Sequence, residues 1–301
     1  MLTRNQVFDT LAKTLRGIVD DGGMSATKSV IPEVYQMETS TKAYEDYQEY
    51  AGPPYIGEKD EGEGMTVLEM LRGYGTRIWM RTYAAEITAT EETIDDCQYG
   101  DVIRCARYLK EAADNTRELD GAMTFGRAFN TDYVMGDGQP LCSATHTLPD
   151  GRTWSNVMAT PEAPSYRALN IARASVRLFP THAGIRSGLR LTKIVHPPEQ
   201  DNAWDAILLS TLAPYAGNQS EINVIREKDS GLRHVSMLQL VNTSTNWFGM
   251  TNNSVGIKWF TRKALRSGTE TDERRGRLTY WIKERRGRGP VDARCVYGSA
   301  S

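Results

Sequence analysis

The strongest structural signal in this chain is the stretch Gly136-Asp137-Gly138-Gln139-Pro140-Leu141-Cys142-Ser143-Ala144-Thr145-His146, which continues through Gly151-Arg152-Thr153-Trp154-Ser155-Asn156. Its glycines tolerate positive φ and its prolines fix φ, which predicts a tight polar crossing between two ordered elements. Because Cys142 and His146 lie four residues apart, a thiol nucleophile or half of a metal site must be weighed. A metal needs three or four ligands and a catalytic cysteine needs a positioned base, and the neighbouring sequence supplies neither. Both side chains are therefore predicted to be structural.

The same stretch resembles the D-G-Q-P-L-F-S signature, followed by a histidine and by Ser-Asn, of one branch of the tailed-bacteriophage major capsid proteins. Other segments resemble the family in the family's order: residues 189–211, residues 218–223, Asn246-Trp247-Phe248 and the terminal Arg294-Cys295-Val296-Tyr297-Gly298-Ser299. His196 and Gly249 depart from the family pattern, in which valine and an apolar residue are more usual. The resemblance implies a shell subunit with an α+β capsid fold of the Hong Kong 97 type.

The resemblance also implies five successive segments. They are an N-terminal arm (1–40), an extended E-loop hairpin (41–94), a P-domain with a long spine helix (95–164), an A-domain (165–260) and a P-domain return strand (261–301). Under this division the chain starts and finishes in the helix-bearing domain, and the A-domain is an insertion. The length of 301 residues is compatible with two packed units or one elongated unit.

Hydrophobic periodicity predicts the main elements without the resemblance. Apolar residues spaced three and four apart predict helices over residues 5–19, 101–129 and 199–211, and between Ser165, as the cap, and Pro180. Alternating residues predict strands over residues 76–90, 189–195, 235–241, 257–260 and 274–301. At 1.5 Å rise per residue, the helix over 101–129 would be about 40 Å long.

Composition and motifs exclude several classes of protein. Hydrophobic residues make up 40% of the chain and charged residues 25%, as in ordinary folded proteins. The first residues lack an apolar leader and no stretch is long enough to cross a bilayer, which predicts synthesis in the cytosol and no membrane partner. The four cysteines have no paired spacing, which predicts reduced thiols without a disulfide or zinc. Because nucleotide, metal and hydrolase motifs are also lacking, we predict a non-enzymatic protein with no catalytic, cofactor-binding or metal-binding residues.

Charge is divided unequally between the two ends of the chain. Residues 1–100 carry 9 Lys and Arg against 18 Asp and Glu, whereas residues 251–301 carry 12 against 5. The acidic end includes the expected hairpin tip, with Glu58, Lys59, Asp60, Glu61 and Glu63. The basic end includes an alternating segment with Arg274, Arg275, Arg277, Arg285, Arg286 and Arg288. These sets are solvated faces, a DNA contact or complementary docking patches. We favour docking on a neighbouring copy, because a repeating shell needs complementary surfaces.

The family resemblance implies a major capsid protein that self-assembles as pentamers and hexamers into an icosahedral phage head around double-stranded DNA. The expected partners are other copies of the chain, portal, scaffolding and decoration proteins, and packaged DNA held by nonspecific contacts. No acidic, coiled scaffold domain precedes the arm, so a separate scaffolding protein is expected. The protein would be found in the virion, and in the host cytoplasm during assembly.

Three other functions remain open at the level of sequence. An encapsulin-like compartment uses the same fold to enclose protein cargo. A thiol-dependent hydrolase would be centred on Cys142 and His146. A free DNA-binding protein would use the basic end and would bind with steep salt dependence.

Overall fold

The structure is a computed structural model that describes residues 13–15, 17, 28–51, 55–62, 64, 65, 67, 68, 70–90, 92, 93, 96, 99–214, 222–228, 231–240, 246–272 and 274–300. The helix predicted over residues 5–19 lies mostly outside these ranges, and its described residues, 13–15 and 17, are helical. Within the described ranges, no helix is both long enough and apolar enough to traverse a bilayer.

Five α-helices and twelve β-strands make up the regular structure of the described residues. The helices are α1 (Ile31–Val34), α2 (Tyr99–Gly126), α3 (Tyr166–Arg177), α4 (Asp201–Leu209) and α5 (Val224–Lys228). The first six strands are β1 (Gln36–Thr39), β2 (Tyr44–Ala51), β3 (Leu71–Trp79), β4 (Arg81–Thr90), β5 (His146–Thr147) and β6 (Thr153–Trp154). The remaining strands are β7 (Leu191–His196), β8 (Arg233–Ser236), β9 (Trp247–Thr251), β10 (Ile257–Asp272), β11 (Arg277–Pro290) and β12 (Val296–Ser299). Short 3-10 turns occupy Pro198–Gln200 and Ala293–Cys295.

One sheet carries the long helix. Its strand order is β1-β10-β11-β4, with β1 parallel to β10 and the other pairs antiparallel. Every second residue of β11 from Leu278 to Ile282 is buried, and this face packs against Val102 and Ala106 of α2. The alternating apolar residues of β11 and the helically spaced apolar residues of α2 therefore pack in one core, as their sequence periods predict.

A second sheet has the order β12-β9-β7-β8 and is covered by α3 and α4. Its core is built on the fully buried Trp204 and Trp247, whose rings meet edge to face at 5.2 Å. Ser165 caps α3 as expected, because its side-chain oxygen accepts a hydrogen bond from the Ala168 amide at 3.0 Å. The predicted helix over residues 199–211 is α4 preceded by a 3-10 turn.

Two predicted strands are divided in the structure. Residues 76–90 do not form one strand, because the chain changes sheets at Met80: β3 pairs with β2 in a separate hairpin, whereas β4 pairs with β11. The Met80 side chain is buried and its amide donates to the Ala43 carbonyl at 3.0 Å, which fixes the change of direction. Residues 274–301 are likewise divided, since β11 ends at Pro290 and β12 joins the second sheet beside β9. Alternation continues through both breaks, so the sequence pattern does not reveal them.

Candidate assembly surfaces

The loop of residues 136–156, here called the motif loop, is held by Asn156 to the segment that follows β11. The Asn156 Nδ2 lies within 2.7–3.1 Å of the carbonyl oxygens of Leu141, Ala293 and Val296, and its Oδ1 accepts from the Ser143 amide at 2.8 Å. Asn156 itself is fully buried. One amide side chain thus ties the motif loop to the end of the chain, which gives the Ser-Asn pair and the final Val-Tyr-Gly-Ser a common structural role.

Cys142 and His146 do not form a nucleophile and base. Burial raises the pKa of the Cys142 thiol, which disfavours the reactive thiolate. The Nδ1 of His146 lies 2.6 Å from Asp137 Oδ2, and its Nε2 lies 3.3 Å from the Leu141 carbonyl oxygen, so both ring nitrogens face other groups. The imidazole also stacks on Trp154 at 4.9 Å. This geometry assigns both residues to the packing of the motif loop and gives no support to a thiol hydrolase.

The paired strands β2 and β3 rest on the motif loop of the same chain. A side chain at Gly136 would lie 2.7 Å from the Gly75 carbonyl oxygen, so only glycine lets β3 approach so closely. The hydroxyls of Tyr74 and Thr147 are hydrogen-bonded at 3.1 Å. The strands of the hairpin are therefore held by the body of their own chain.

A half-buried polar contact strengthens this attachment. Glu49 Oε2 lies 3.2 Å from His182 Nδ1, and Arg294 donates to His182 Nε2 at 2.8 Å. Burial, together with the nearby Asp292 carboxylate, raises the pKa of Glu49 to about 8. Burial and the Arg294 charge lower the pKa of His182. At neutral pH the contact is thus a hydrogen bond between a protonated carboxyl and a neutral imidazole, and not a salt bridge.

The hairpin tip is exposed. The side chains of Glu58, Lys59, Asp60 and Glu61 face solvent, and Glu63 lies outside the described residues. Apolar side chains at the tip are exposed too: Tyr55, Ile56, Met65 and Val67 are between 74% and 89% accessible. Exposed apolar residues beside a charged cluster are typical of a surface that is covered in an assembly.

Two of the six predicted basic contacts pair closely with acidic side chains of the long helix and of β11. Arg286 is 3% exposed and pairs with Glu284 and with Asp120, and Arg288 donates to Asp120 Oδ1 at 2.6 Å. Tyr83 also donates to Asp120, at 2.9 Å. Burial alone would raise the pKa of Asp120, but these arginines and Tyr83 hold it below its ordinary value. Arg286 and Arg288 therefore join α2 to the first sheet.

The other four predicted arginines are more accessible. Arg274 and Arg275 are exposed at the turn between β10 and β11, and Arg277 is partly exposed beside them. Arg275 and Arg277 lie 3.9 and 3.8 Å from the Asp272 carboxylate. Arg285 is partly buried, and its Nε has no hydrogen-bond partner in the part of the chain that the structure describes.

The register of β10 and β11 brings Arg285 together with three basic residues outside the predicted set. Lys263 lies directly opposite Arg285, and Arg266 lies directly opposite Lys283. We call these four residues the basic ladder. Like charges directly opposite each other on a sheet are destabilising, and the strand register is interrupted beside both pairs. The basic ladder is therefore a surface that an anionic partner would stabilise.

Comparisons with known proteins give the fold. No family model and no curated protein matches this sequence. A chain of the capsid of Myoviridae phage XM1 superposes with a TM-score of 0.54 at 11% identity, over 90% of this chain and 92% of the phage chain. A chain of the procapsid of bacteriophage JBD30 gives 0.52 at 13% identity, over 100% of this chain and 76% of its own length. A chain of Microbacterium phage Oxtober96 gives 0.52 at 9% identity, over 99% and 98%.

These superpositions span nearly the whole chain and include both sheets and the long helix. At 9–13% identity they are a likeness of fold. They confirm the α+β capsid fold that the motif around Asn156 predicts. This chain has the fold of phage capsid proteins.

Proposed function

We propose that this chain is a major capsid protein that self-assembles, as pentamers and hexamers, into an icosahedral phage head around double-stranded DNA. The fold likeness supports a shell subunit, and the observation that carries assembly is the exposed acidic hairpin tip. Its strands are fixed on their own chain, whereas its charged and apolar side chains remain uncovered by the described residues. A neighbouring copy supplies a surface of opposite charge in the basic ladder.

The proposed contact runs from the tip of one copy to the basic ladder of another. Glu58, Asp60 and Glu61, with Glu63, carry the negative charge, and Lys263, Arg266, Lys283 and Arg285 carry the positive charge. Such complementarity sets the register of association and excludes wrong pairings. Arg274, Arg275 and Arg277 extend the same basic strand and belong to the contact as a secondary region.

The five-segment division completes the proposal. Residues 1–40 act as the arm, 41–94 as the E-loop, 95–164 and 261–301 as the P-domain, and 165–260 as the A-domain. Portal and scaffolding proteins, decoration proteins and packaged DNA are further proposed partners. The protein is then located in the host cytoplasm during assembly and in the virion afterwards.

Charge reversal tests the contact directly. Changing Glu58, Asp60, Glu61 and Glu63 together to lysine should leave the unassembled chain folded, because exposed charges contribute little to stability. Assembly into particles, measured by negative-stain microscopy and sedimentation, should fall at least about tenfold, since like charges would then face each other. Particles of normal yield, size and salt resistance would contradict the electrostatic contact.

A charge-swap variant provides the matched control. It combines the four tip lysines with Lys263→Glu, Arg266→Glu, Lys283→Glu and Arg285→Glu, and it should recover assembly because both patches change sign. If the charge-swap chain is folded but does not assemble, charge complementarity is not the basis of the contact. If the basic ladder binds DNA instead, reversing the charges of the tip should leave assembly unchanged. Reversing the charges of the ladder should then weaken the salt-sensitive binding of DNA.

A further inference from the structure

Two histidines from neighbouring strands meet at the edge of the second sheet. His196 ends β7 and His234 lies in β8, and in this parallel pair His234 is opposite Ile194. Because side chains alternate along a strand, His196 and His234 project from the same face. Their facing nitrogens, His196 Nε2 and His234 Nδ1, are 3.0 Å apart.

The outer nitrogen of each ring is already engaged by a group that only accepts hydrogen bonds. His196 Nδ1 lies 2.9 Å from the Pro197 carbonyl oxygen, and His234 Nε2 lies 3.0 Å from Asp205 Oδ1. A neutral imidazole carries one N–H, which these acceptors draw to the outer nitrogens. The two inner nitrogens then present lone pairs to each other. Because facing lone pairs repel each other, a shared proton or a metal cation must lie between the two nitrogens.

A third possible ligand lies beside the two histidines. Asp201 begins α4, and its buried Oδ1 has no hydrogen-bond partner among the described residues. This oxygen lies 3.7 Å from the outer nitrogen, His196 Nδ1, so the carboxylate has to turn toward the inner nitrogens to share an ion with them. Ligand atoms of His196, Asp201 and His234 all fall within 4.8 Å of one another. Two imidazoles and a carboxylate are a typical donor set for zinc and similar divalent metals.

We propose that His196 Nε2, His234 Nδ1 and the Asp201 carboxylate bind a divalent transition-metal ion of the zinc class. Ligand nitrogens around tetrahedral zinc lie about 3.3 Å apart, so the two rings need to separate by only a few tenths of an ångström. The Asp205 carboxylate orients His234 from the outside, as carboxylates do for metal-bound histidines. The His234 and Asp201 side chains are 24% and 45% exposed, which leaves a route for the ion from solvent.

Such a site would have a structural role in the second sheet. It would connect β8, at the sheet edge, to β7 and to the start of α4. The sequence predicted no zinc because the four cysteines have no paired spacing. The site forms only through the register of two parallel strands, which no local spacing encodes. The inference is independent of the proposed function, because it uses neither the hairpin tip nor the basic ladder.

Cobalt provides the first test, since tetrahedral Co²⁺ absorbs visibly and zinc displaces it. The full chain, freed of metal by a chelator, should bind one Co²⁺ with a tetrahedral spectrum, and Zn²⁺ should remove that spectrum. His234→Gln should weaken binding at least about 100-fold, and Asp205→Asn about 10-fold, as for other outer carboxylates. His182→Gln removes a histidine from a different cluster and should leave the Co²⁺ affinity of the His196–His234 site unchanged. If His182→Gln abolishes binding, or if His234→Gln leaves it intact, the proposed site is wrong.

A second measurement avoids variants altogether. Nitrogen NMR of the wild-type imidazoles should show two of the four histidines shifting to metal-bound values when Zn²⁺ is added, stable from about pH 6.5 to 8. The metal site would be refuted if the nitrogen shifts do not change when Zn²⁺ is added but show one shared proton that titrates with pH. The histidine pair would then be bridged by a proton.

Discussion

The polar groups of the motif loop are paired within the chain, whereas the charged groups of the basic ladder face like charges. In the loop, the fully buried Asn156 meets three carbonyl oxygens and an amide of the same chain. In the ladder, Lys263 faces Arg285 and Arg266 faces Lys283 across neighbouring strands. Groups that are satisfied internally specify the fold, and groups that repel each other at the surface require a partner. The first region should therefore govern the stability of the subunit, and the second should govern its association.

The largest expected effect is at the joint of the motif loop. Asn156→Ala removes a donor shared by three buried carbonyls and an acceptor for the Ser143 amide. Buried groups left unpaired cost about 1–3 kcal/mol each and not additively, so the unfolding free energy should fall by about 3 kcal/mol. Urea unfolding of the unassembled chain measures this loss.

Two further variants show whether hydrogen bonding is the cause. Asn156→Asp keeps the size of the side chain but turns its donor into an oxygen facing carbonyl oxygens, and it should destabilise at least as much. Asn202→Ala, on the exposed side of α4, should change stability by less than about 0.5 kcal/mol. An Asn156→Ala chain as stable as wild type would mean that the joint contributes nothing.

The next effect concerns the contact between hairpin and body, and depends on pH. Glu49 holds its proton up to about pH 8 in the folded chain but only to about 4.5 when unfolded, so the folded state binds more protons between these values. Stability from this group is fully present below about pH 4.5 and is lost as the pH rises to 8. His182 acts oppositely, because its lowered pKa costs stability only as the pH falls below about 6.5. Between pH 6.5 and 8, Glu49 alone should lower stability, by roughly 1 kcal/mol per pH unit.

Glu49→Gln isolates this contribution. The amide is neutral at every pH, so the variant should lose the decline between pH 6.5 and 8 while matching wild type near pH 5. Urea unfolding at each pH, with hydrogen exchange of β2 and β3, would locate the change in the hairpin. Parallel pH profiles for the two proteins would exclude Glu49 as the group responsible.

Close packing near the end of the chain gives a smaller effect. A Cβ at Gly298 would lie 2.7 Å from Phe129 Cζ and 2.8 Å from Cys142 Sγ, so Gly298→Ala forces buried neighbours to shift. Overpacking of this kind costs about 1–3 kcal/mol. A Cβ at Gly100, on α2, would meet no atom within 4 Å, so Gly100→Ala should be neutral or slightly stabilising. Equal melting temperatures for the two variants would contradict the close contact.

Local patterns carried much of this fold. The helical repeat predicted α2 to within three residues at either end, and Ser165 was recognised as a cap because capping depends on neighbours in sequence. Cys142 and His146 of the motif loop were predicted to be structural because they lacked the partners that catalysis needs, and both side chains are buried. These features depend on residues a few positions apart, where the sequence is directly informative.

Features set by strand register could not be predicted. The change of sheet at Met80 interrupts no alternation, and the opposition of Lys263 to Arg285 depends on irregularities in the β10–β11 pairing. Arg286 and Arg288 looked like surface charges, but their partner Asp120 lies more than 160 positions away in sequence. Only the three-dimensional pairing separates a charge that is already neutralised from one that is free to act between copies.

The smallest effect on stability is expected in the basic ladder, and it tests whether this surface differs from the motif loop as described. Lys283→Glu places a carboxylate opposite Arg266 and converts a repulsive cross-strand pair into an attractive one. The unassembled chain should therefore gain about 0.2–1 kcal/mol of unfolding free energy. Particle yield should nevertheless fall, because the ladder loses positive charge that the acidic tip of a neighbour needs.

Opposite signs for the two measurements distinguish this explanation from general damage, since a variant that merely harms the fold lowers both stability and yield. Arg107→Glu makes the same change in net charge at an exposed position of α2 and should leave particle yield unchanged. If Lys283→Glu stabilises the subunit and particles form as before, the repulsion in the basic ladder is real but serves no contact between copies. If Lys283→Glu destabilises the subunit, the charges of the basic ladder do not repel each other. The claim that this surface requires an anionic partner would then be wrong.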